Sequence, residues 1–154
     1  MTDDSTFLAT AIDLAARSAE TGGGPFGAVV ITATGGLYPA HNTVTATHDP
    51  TAHAEVNALR AAGAGEGTND LTGAVLYSSS EPCPMCLTAA LWARVDRLVY
   101  AATIDDAATA GFDDSSFYRQ IREGVTDLDL VHDEHPHRLR PFTAWLGNTD
   151  RTDY

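Results

Sequence analysis

Apolar side chains recur at three- and four-residue intervals through Phe7, Leu8, Ala11, Ile12, Ala15 and Ala19, which predicts an amphipathic helix over residues 6–19. Thr21-Gly22-Gly23-Gly24-Pro25 ends it, because glycine and proline favour turn backbone over a continuing helix. Phe26 to Thr32 is a short apolar, β-branched run. Thr34-Gly35-Gly36 then turns the chain into Leu37 to Thr43, so these two runs predict a hairpin. Asp49-Pro50-Thr51 supplies helix-start chemistry ahead of the alanine-rich stretch Ala52 to Ala62, with Val56 and Leu59 facing inward. After a Gly/Ala loop over Gly63 to Thr68, Ala74 to Ser79 predicts a strand, Met85 to Ala93 a helix, and Leu98 to Thr103 a further strand. Strand, helix and strand joined by short links form a βαβ unit and imply parallel pairing. Beyond Ala110 the pattern weakens: Asp114 to Ile121 reads as a short helix, Val125 to Val131 as a strand, and Pro141 to Leu146 as a last short helix. Neither an internal repeat nor a linker interrupts the chain, so residues 1–154 are expected to form one α/β domain.

Composition narrows the function. The 154 residues are 44% hydrophobic and 19% charged, enough apolar material for one buried core. Lys and Arg total 9 against 21 Asp and Glu, a net charge of −12. Nucleic-acid binding draws most of its affinity from basic side chains on phosphates, so a nucleic-acid partner is disfavoured and a small neutral substrate is expected. The start Met1-Thr2-Asp3-Asp4-Ser5 carries no basic n-region and no apolar h-region. No apolar run approaches the ~18 residues of a membrane span. The expected location is therefore cytoplasmic, with no membrane partner. Cys83 and Cys86, in Cys-Pro-Met-Cys, are the only cysteines, and in that compartment they suit a metal or redox site better than a structural disulfide.

The informative combination is His53-Ala54-Glu55 followed by Pro82-Cys83-Pro84-Met85-Cys86. Singly, His53 could be a capping residue, and the Cys pair a dithiol switch, part of a structural zinc site, or buried small hydrophobes. Together they offer one imidazole and two thiolates, the ligand set of a zinc ion with one position open, as catalytic zinc requires. Residues two apart lie about 200° apart around a helix, so His53 and Glu55 can converge only at an exposed first turn. Both motifs fall where helices are expected to begin. Zn²⁺ with two thiolates and a neutral imidazole carries no net charge and acidifies water weakly, so a nearby carboxylate is needed to carry protons. Glu55 takes that part, outside the ligand set. His-x-Glu followed by Pro-Cys-x-x-Cys is the signature of zinc nucleobase deaminases.

The chain resembles the cytidine-deaminase-like superfamily, and within it the short bacterial guanine deaminases. Gly23-Gly24-Pro25-Phe26-Gly27-Ala28-Val29, Asp49-Pro50-Thr51-Ala52-His53-Ala54-Glu55-Val56 and Ser80-Glu81-Pro82-Cys83-Pro84-Met85-Cys86 carry the likeness. Ala110-Gly111-Phe112-Asp113-Asp114 and the tail from Pro141-Phe142 through Ala144-Trp145 to Tyr154 point to the guanine branch. The resemblance implies a three-layer α/β/α fold around a five-stranded mixed sheet, one Zn²⁺ per subunit, and a homodimer. In it the C-terminal segment, about 132–154, would be exchanged between protomers. It also implies that Asn42 and Asp114 hydrogen-bond a nucleobase substrate, that the Ala54 N–H contacts the base, and that Phe26 packs on the ring. Tyr154 would cap the partner's site, and Glu81 would serve as a second proton carrier. His48 stands where no fixed family residue is expected.

Simpler roles exist for each of these residues: Asn42 in a turn, Asp113-Asp114-Ser115 as a helix cap, Phe26 and Trp92 in the core, Tyr154 as a frayed end. His132, His135 and His137 read as a solvated loop, and Arg138 and Arg140 as surface. The expected reaction is deamination of guanine to xanthine and ammonia. The neighbouring possibilities are deamination of cytosine, another aminopurine or a triazine; a Cys-x-x-Cys redox or structural-zinc interaction protein is the reading from a different class.

Overall fold

The computed structural model describes residues 4–154. Helix α1 (Asp4–Glu20) opens on an acidic residue that favours the unpaired N–H groups of a first turn, so it begins two residues before the periodicity suggests. Its buried stripe is Ala11, Ala15 and Ser18. Those side chains are small because α1 lies almost in contact with strand β1 (Gly27–Ile31). A Cβ on Gly27 would overlap the Ala11 carbonyl and stand 2.7 Å from the Ala15 nitrogen.

Strands β2 (Leu37–His41), β3 (Val75–Ser80) and β4 (Arg97–Ala102) complete a sheet of order β2-β1-β3-β4. The β1 pairings are antiparallel, and β3 with β4 is parallel, as the βαβ reading requires. Alternation along the strands divides the core into two faces. Val29 and Tyr77 pack with Ala11 under α1. Ala28, Val30 and Leu76 pack on the other side with Ala54, Ala58 and Ala90, which belong to α3 (Ala54–Glu66) and α4 (Pro84–Trp92). Three layers, α/β/α, result. Glu66, at the end of α3, accepts hydrogen bonds of 2.9 Å from Thr32, Thr34 and Tyr38 and so clamps the β1–β2 hairpin.

Two short helices, α2 (Val44–Thr47) and α5 (Ile104–Thr109), were not expected; at four and six residues they are too short to display a helical period. Helix α6 (Ser115–Glu123) and α7 (Arg140–Gly147) lie near their expected places. The sheet has four strands among the described residues, which corrects the expected five. The expected strand Val125 to Val131 is irregular and faces solvent, with Leu128 and Leu130 at 77% and 84% exposure. It pairs with neither edge strand, β2 nor β4, and Gln120 ties Asp127 back to the end of α6 through bonds of 2.9 and 3.1 Å. Trp92 is 66% exposed and is a surface residue, not core. No described helix is long and apolar enough to cross a membrane.

Candidate zinc centre

His53 and Cys83 are the N-cap residues of α3 and α4, both with extended backbone. Their carbonyls start the helical ladders, accepting from Asn57 and Leu87 at 2.9 Å. Neither side chain makes a capping bond, so both are free to turn toward each other. Pro84 fills the first position of α4, where a missing N–H costs nothing. His53 Nδ1 lies 3.6 Å from Cys83 Sγ and 3.4 Å from Cys86 Sγ. A nitrogen and a sulfur bound tetrahedrally to zinc at about 2.0 and 2.3 Å would stand about 3.5 Å apart. The residues fit the ion in both donor chemistry and spacing.

The protonation of the pair supports the same conclusion. The Cys83 thiol is lowered to about 4, chiefly by its hydrogen bond with Cys86 and then by His53, against burial. Once Cys83 is ionised, Cys86 is pushed far up by that same neighbour, by burial, and by the charge of Glu55. His53 is raised, mainly by its bond to Cys83. Only one of the two buried sulfurs ionises in the metal-free pair, and ionising both calls for a cation.

Glu55, in the first turn of α3, is 5% exposed. Its Oε1 accepts from Ser78 Oγ at 3.1 Å, and its Oε2 lies 3.5 Å from Cys86 Sγ. Burial pushes its carboxyl above the usual carboxylate range. In front of this cluster opens a cavity of about 420 Å³, of the size that holds a small organic ligand. His53, Glu55 and Cys83 form part of its lining, joined by Phe26, Asn42, Glu81 and Asp114.

The profile of the cytidine and deoxycytidylate deaminase zinc-binding region matches residues 1–102. The chain belongs to this zinc-dependent deaminase family. Among its relatives, guanine deaminase of Bacillus subtilis is 43% identical over 155 residues, covering 97% of both chains. The crystal structure of guanine deaminase from Bacillus subtilis superposes with a TM-score of 0.92, covering 100% of this chain and 99% of that one. A tRNA-specific adenosine deaminase from Aquifex aeolicus is 38% identical over 96 residues, covering 62% of this chain and 64% of its own.

The deaminase presents polar groups around the cleft wall. Asn42 is buried, and its Oδ1 accepts from the Val44 N–H at 3.1 Å, leaving its Nδ2 without a partner among the described residues. Asp114 occupies the N-cap position of α6 but makes no capping bond. Asp113 takes the Ser115 N–H instead, at 2.9 Å, and so frees the half-buried Asp114 carboxylate for the cleft. Burial and the Cys83 charge raise the Asp114 pKa, while His53 lowers it. The Ala54 N–H opens α3 and precedes its hydrogen-bonded ladder. Glu81 Oε2 accepts from the Ile104 N–H at 3.0 Å, which ties it to the start of α5 and leaves its other oxygen for the cavity.

Tyr154 is elsewhere: its ring lies 6.2 Å from those of Trp92 and Trp145, away from the cleft of its own chain. His48 is an exposed left-handed cap of α2, with φ 53°, and takes no part in the cleft. His132, His135 and His137 are exposed, as expected of a solvated loop.

The sequence assigned no role to part of the deaminase cleft, although Phe112 belongs to a motif that carries the resemblance. Phe112 stands edge-on to Phe26 with ring centres 4.9 Å apart. Phe117 of α6 and Thr45 of α2 also line the cavity. Phe112 follows Gly111, whose φ of 95° makes the turn that brings the ring inward. That glycine was the available signal. Thr45 had none, lying on a helix of one turn.

Proposed function

We propose that this protein is a zinc-dependent guanine aminohydrolase that converts guanine and water to xanthine and ammonia. The observation that carries this reading is the extent of similarity to the Bacillus subtilis guanine deaminase. It continues past residue 102, where the family profile ends, through the turn that delivers Phe112 and Asp114 to the cleft.

His53, Cys83 and Cys86 hold the ion. When bound, zinc supplies Lewis acidity that lowers the pKa of a water in its open position. Asp114 accepts from N–H donors of the purine, and Asn42 Nδ2 and the Ala54 N–H donate to its acceptors. A carboxylate facing the base favours a purine rich in N–H donors, as guanine is. Phe26, braced by Phe112, packs on the ring. Glu55 takes a proton from the attacking water and returns it to the leaving nitrogen, and its burial suits a group that must hold that proton between the two transfers. Glu81 is a second proton carrier at the cavity wall.

The protein acts as a homodimer that exchanges the segment of about 132–154, so that Tyr154 closes the partner's cleft. Support for this comes from Leu139, Phe142 and Leu146, exposed by 61–69%, and from the distance between Tyr154 and its own chain's cleft. The acidic charge and the partial coverage of the adenosine deaminase relative argue against a tRNA substrate. The reaction is placed in the cytoplasm.

Purified protein, with metal content measured, is to be incubated with guanine while ultraviolet absorbance and ammonia are followed. Conversion to xanthine with one equivalent of ammonia is expected. Absence of conversion by zinc-loaded protein refutes guanine as substrate, and a monomer mass by light scattering refutes the exchange.

A further inference from the structure

We infer that Ser78 is a positioning residue for Glu55, setting which carboxylate oxygen carries the proton. This rests on the reading of the cleft as a deaminase centre and adds a residue outside both zinc motifs.

Ser78 lies inside β3 and is 2% exposed. Alternation puts it on the face of the strand shared with Leu76, which packs in the layer of α3 and α4. A hydroxyl there replaces what would be an apolar core contact and carries the cost of burying a polar group, unless it is hydrogen-bonded. Ser78 has two partners. The Ser80 N–H approaches its Oγ at 3.4 Å, and a backbone N–H can only donate. Ser78 therefore accepts there and directs its own hydrogen to Glu55 Oε1, at 3.1 Å.

This bond, together with the carboxylate's hydrogen bond to its own backbone N–H, fixes the carboxylate in rotation. Oε1 is occupied by a donor, and Oε2 is turned toward the metal ligands, 3.5 Å from Cys86 Sγ. An acid–base group in a cavity of this kind must present one oxygen to the reacting atoms at hydrogen-bond distance, and rotation about its terminal torsion spoils that geometry. Among the described residues, Ser78 is the one hydroxyl bonded to Glu55, so it holds the torsion from the side remote from the zinc ligands.

The test uses the full-length, zinc-loaded enzyme and its Ser78→Ala and Ser78→Thr variants. Alanine is expected to lower kcat for guanine about 10- to 100-fold, the usual effect of removing a partner that orients a residue at a metal site. KM is expected to stay within about twofold and zinc at one per chain, because Ser78 touches neither the substrate cleft nor a ligand. Threonine restores the hydroxyl and is expected to recover most of kcat. Alanine kcat within twofold of wild type overturns the inference, as does equal impairment of both variants or a loss of rate that tracks a loss of zinc. If the wild-type protein itself fails to turn over guanine, the proposed function has failed instead, and the two failures are distinguishable.

Discussion

Removing one hydroxyl from Tyr118 tests how the cleft is assembled from separate elements. Tyr118 Oη donates to the Pro82 carbonyl at 2.6 Å, and among the described residues this is the one hydrogen bond from α6 to the body of the protein. Helix α6 has no fully buried residue of its own, yet it carries Asp114 and Phe117 to the cavity. Tyr118→Phe keeps the ring and deletes the bond. Pro82 is buried, and among the described residues its carbonyl has no other partner, so the substitution leaves an unsatisfied acceptor next to a zinc ligand.

An orphaned buried carbonyl costs about 1–3 kcal/mol. For a domain of this size, about 2 kcal/mol corresponds to a fall of roughly 4–8 °C in unfolding midpoint. The same loosening would move Asp114 away from the purine position proposed for it, and about 1 kcal/mol of lost positioning amounts to a roughly fivefold rise in KM. Thermal unfolding of the zinc-loaded variant and guanine steady-state kinetics measure the two effects. A midpoint within 1 °C of wild type together with an unchanged KM would refute the reasoning, since α6 would then be held by its apolar contacts alone.

Glu55→Gln should retain one zinc per chain, by metal analysis, while kcat falls at least about 100-fold, the range of general acid–base catalysis. Gly27→Ala places a methyl group into the backbone of α1 at Ala11 and Ala15; overpacking of this kind costs about 1–3 kcal/mol, to be read from urea unfolding. Glu66 is held below its usual carboxylate pKa by hydrogen bonds from Thr34, Thr32 and Tyr38, in that order. A depressed folded-state pKa contributes stability that is complete above the unfolded value of 4.5 and is lost as pH falls through the lowered folded value. The stability gap between wild type and Glu66→Gln should therefore be constant from pH 7 to about 5.5 and close only in more acidic buffer, as chemical denaturation at each pH would record.

The parts of the fold that can be read from sequence are those fixed by local pattern. The helix through Ala11 and Ala15, the hairpin around Gly35-Gly36 and the βαβ unit from Val75 to Ala102 each carry their own periodicity and punctuation. The zinc ligands were readable because His-x-Glu and Pro-Cys-x-x-Cys combine an imidazole and two thiolates at expected helix starts; the structure adds that neither His53 nor Cys83 spends its side chain on a cap. Val125 to Val131 misled because its alternation is that of a strand, whereas pairing requires the segment to be laid against a sheet edge, which local alternation does not encode. Asp114 shows the converse. Its local sequence reads as a cap, and only the bond from Ser115 to Asp113 reveals that the neighbouring carboxylate does the capping.

Charge explains why these pieces must occur together. Two thiolates and a neutral imidazole cancel a divalent cation, so the occupied ligand set adds no net charge to a buried position. Neutrality makes the ion tolerable there, and also leaves it weakly acidifying. In the proposed reaction a carboxylate meets the deficit, and burial shifts Glu55 toward its protonated form. Hydrogen bonds act in the opposite direction and favour the ionised form, first from the Glu55 backbone N–H and then from Ser78 at Oε1. Burial and donated hydrogen bonds thus pull Glu55 in opposite directions, with burial the larger, which suits the proton-carrying part proposed for it. The strand that supplies the hydroxyl leads directly into the cysteine loop, so β3 links two of the ligands to the carboxylate that α3 carries beside the third.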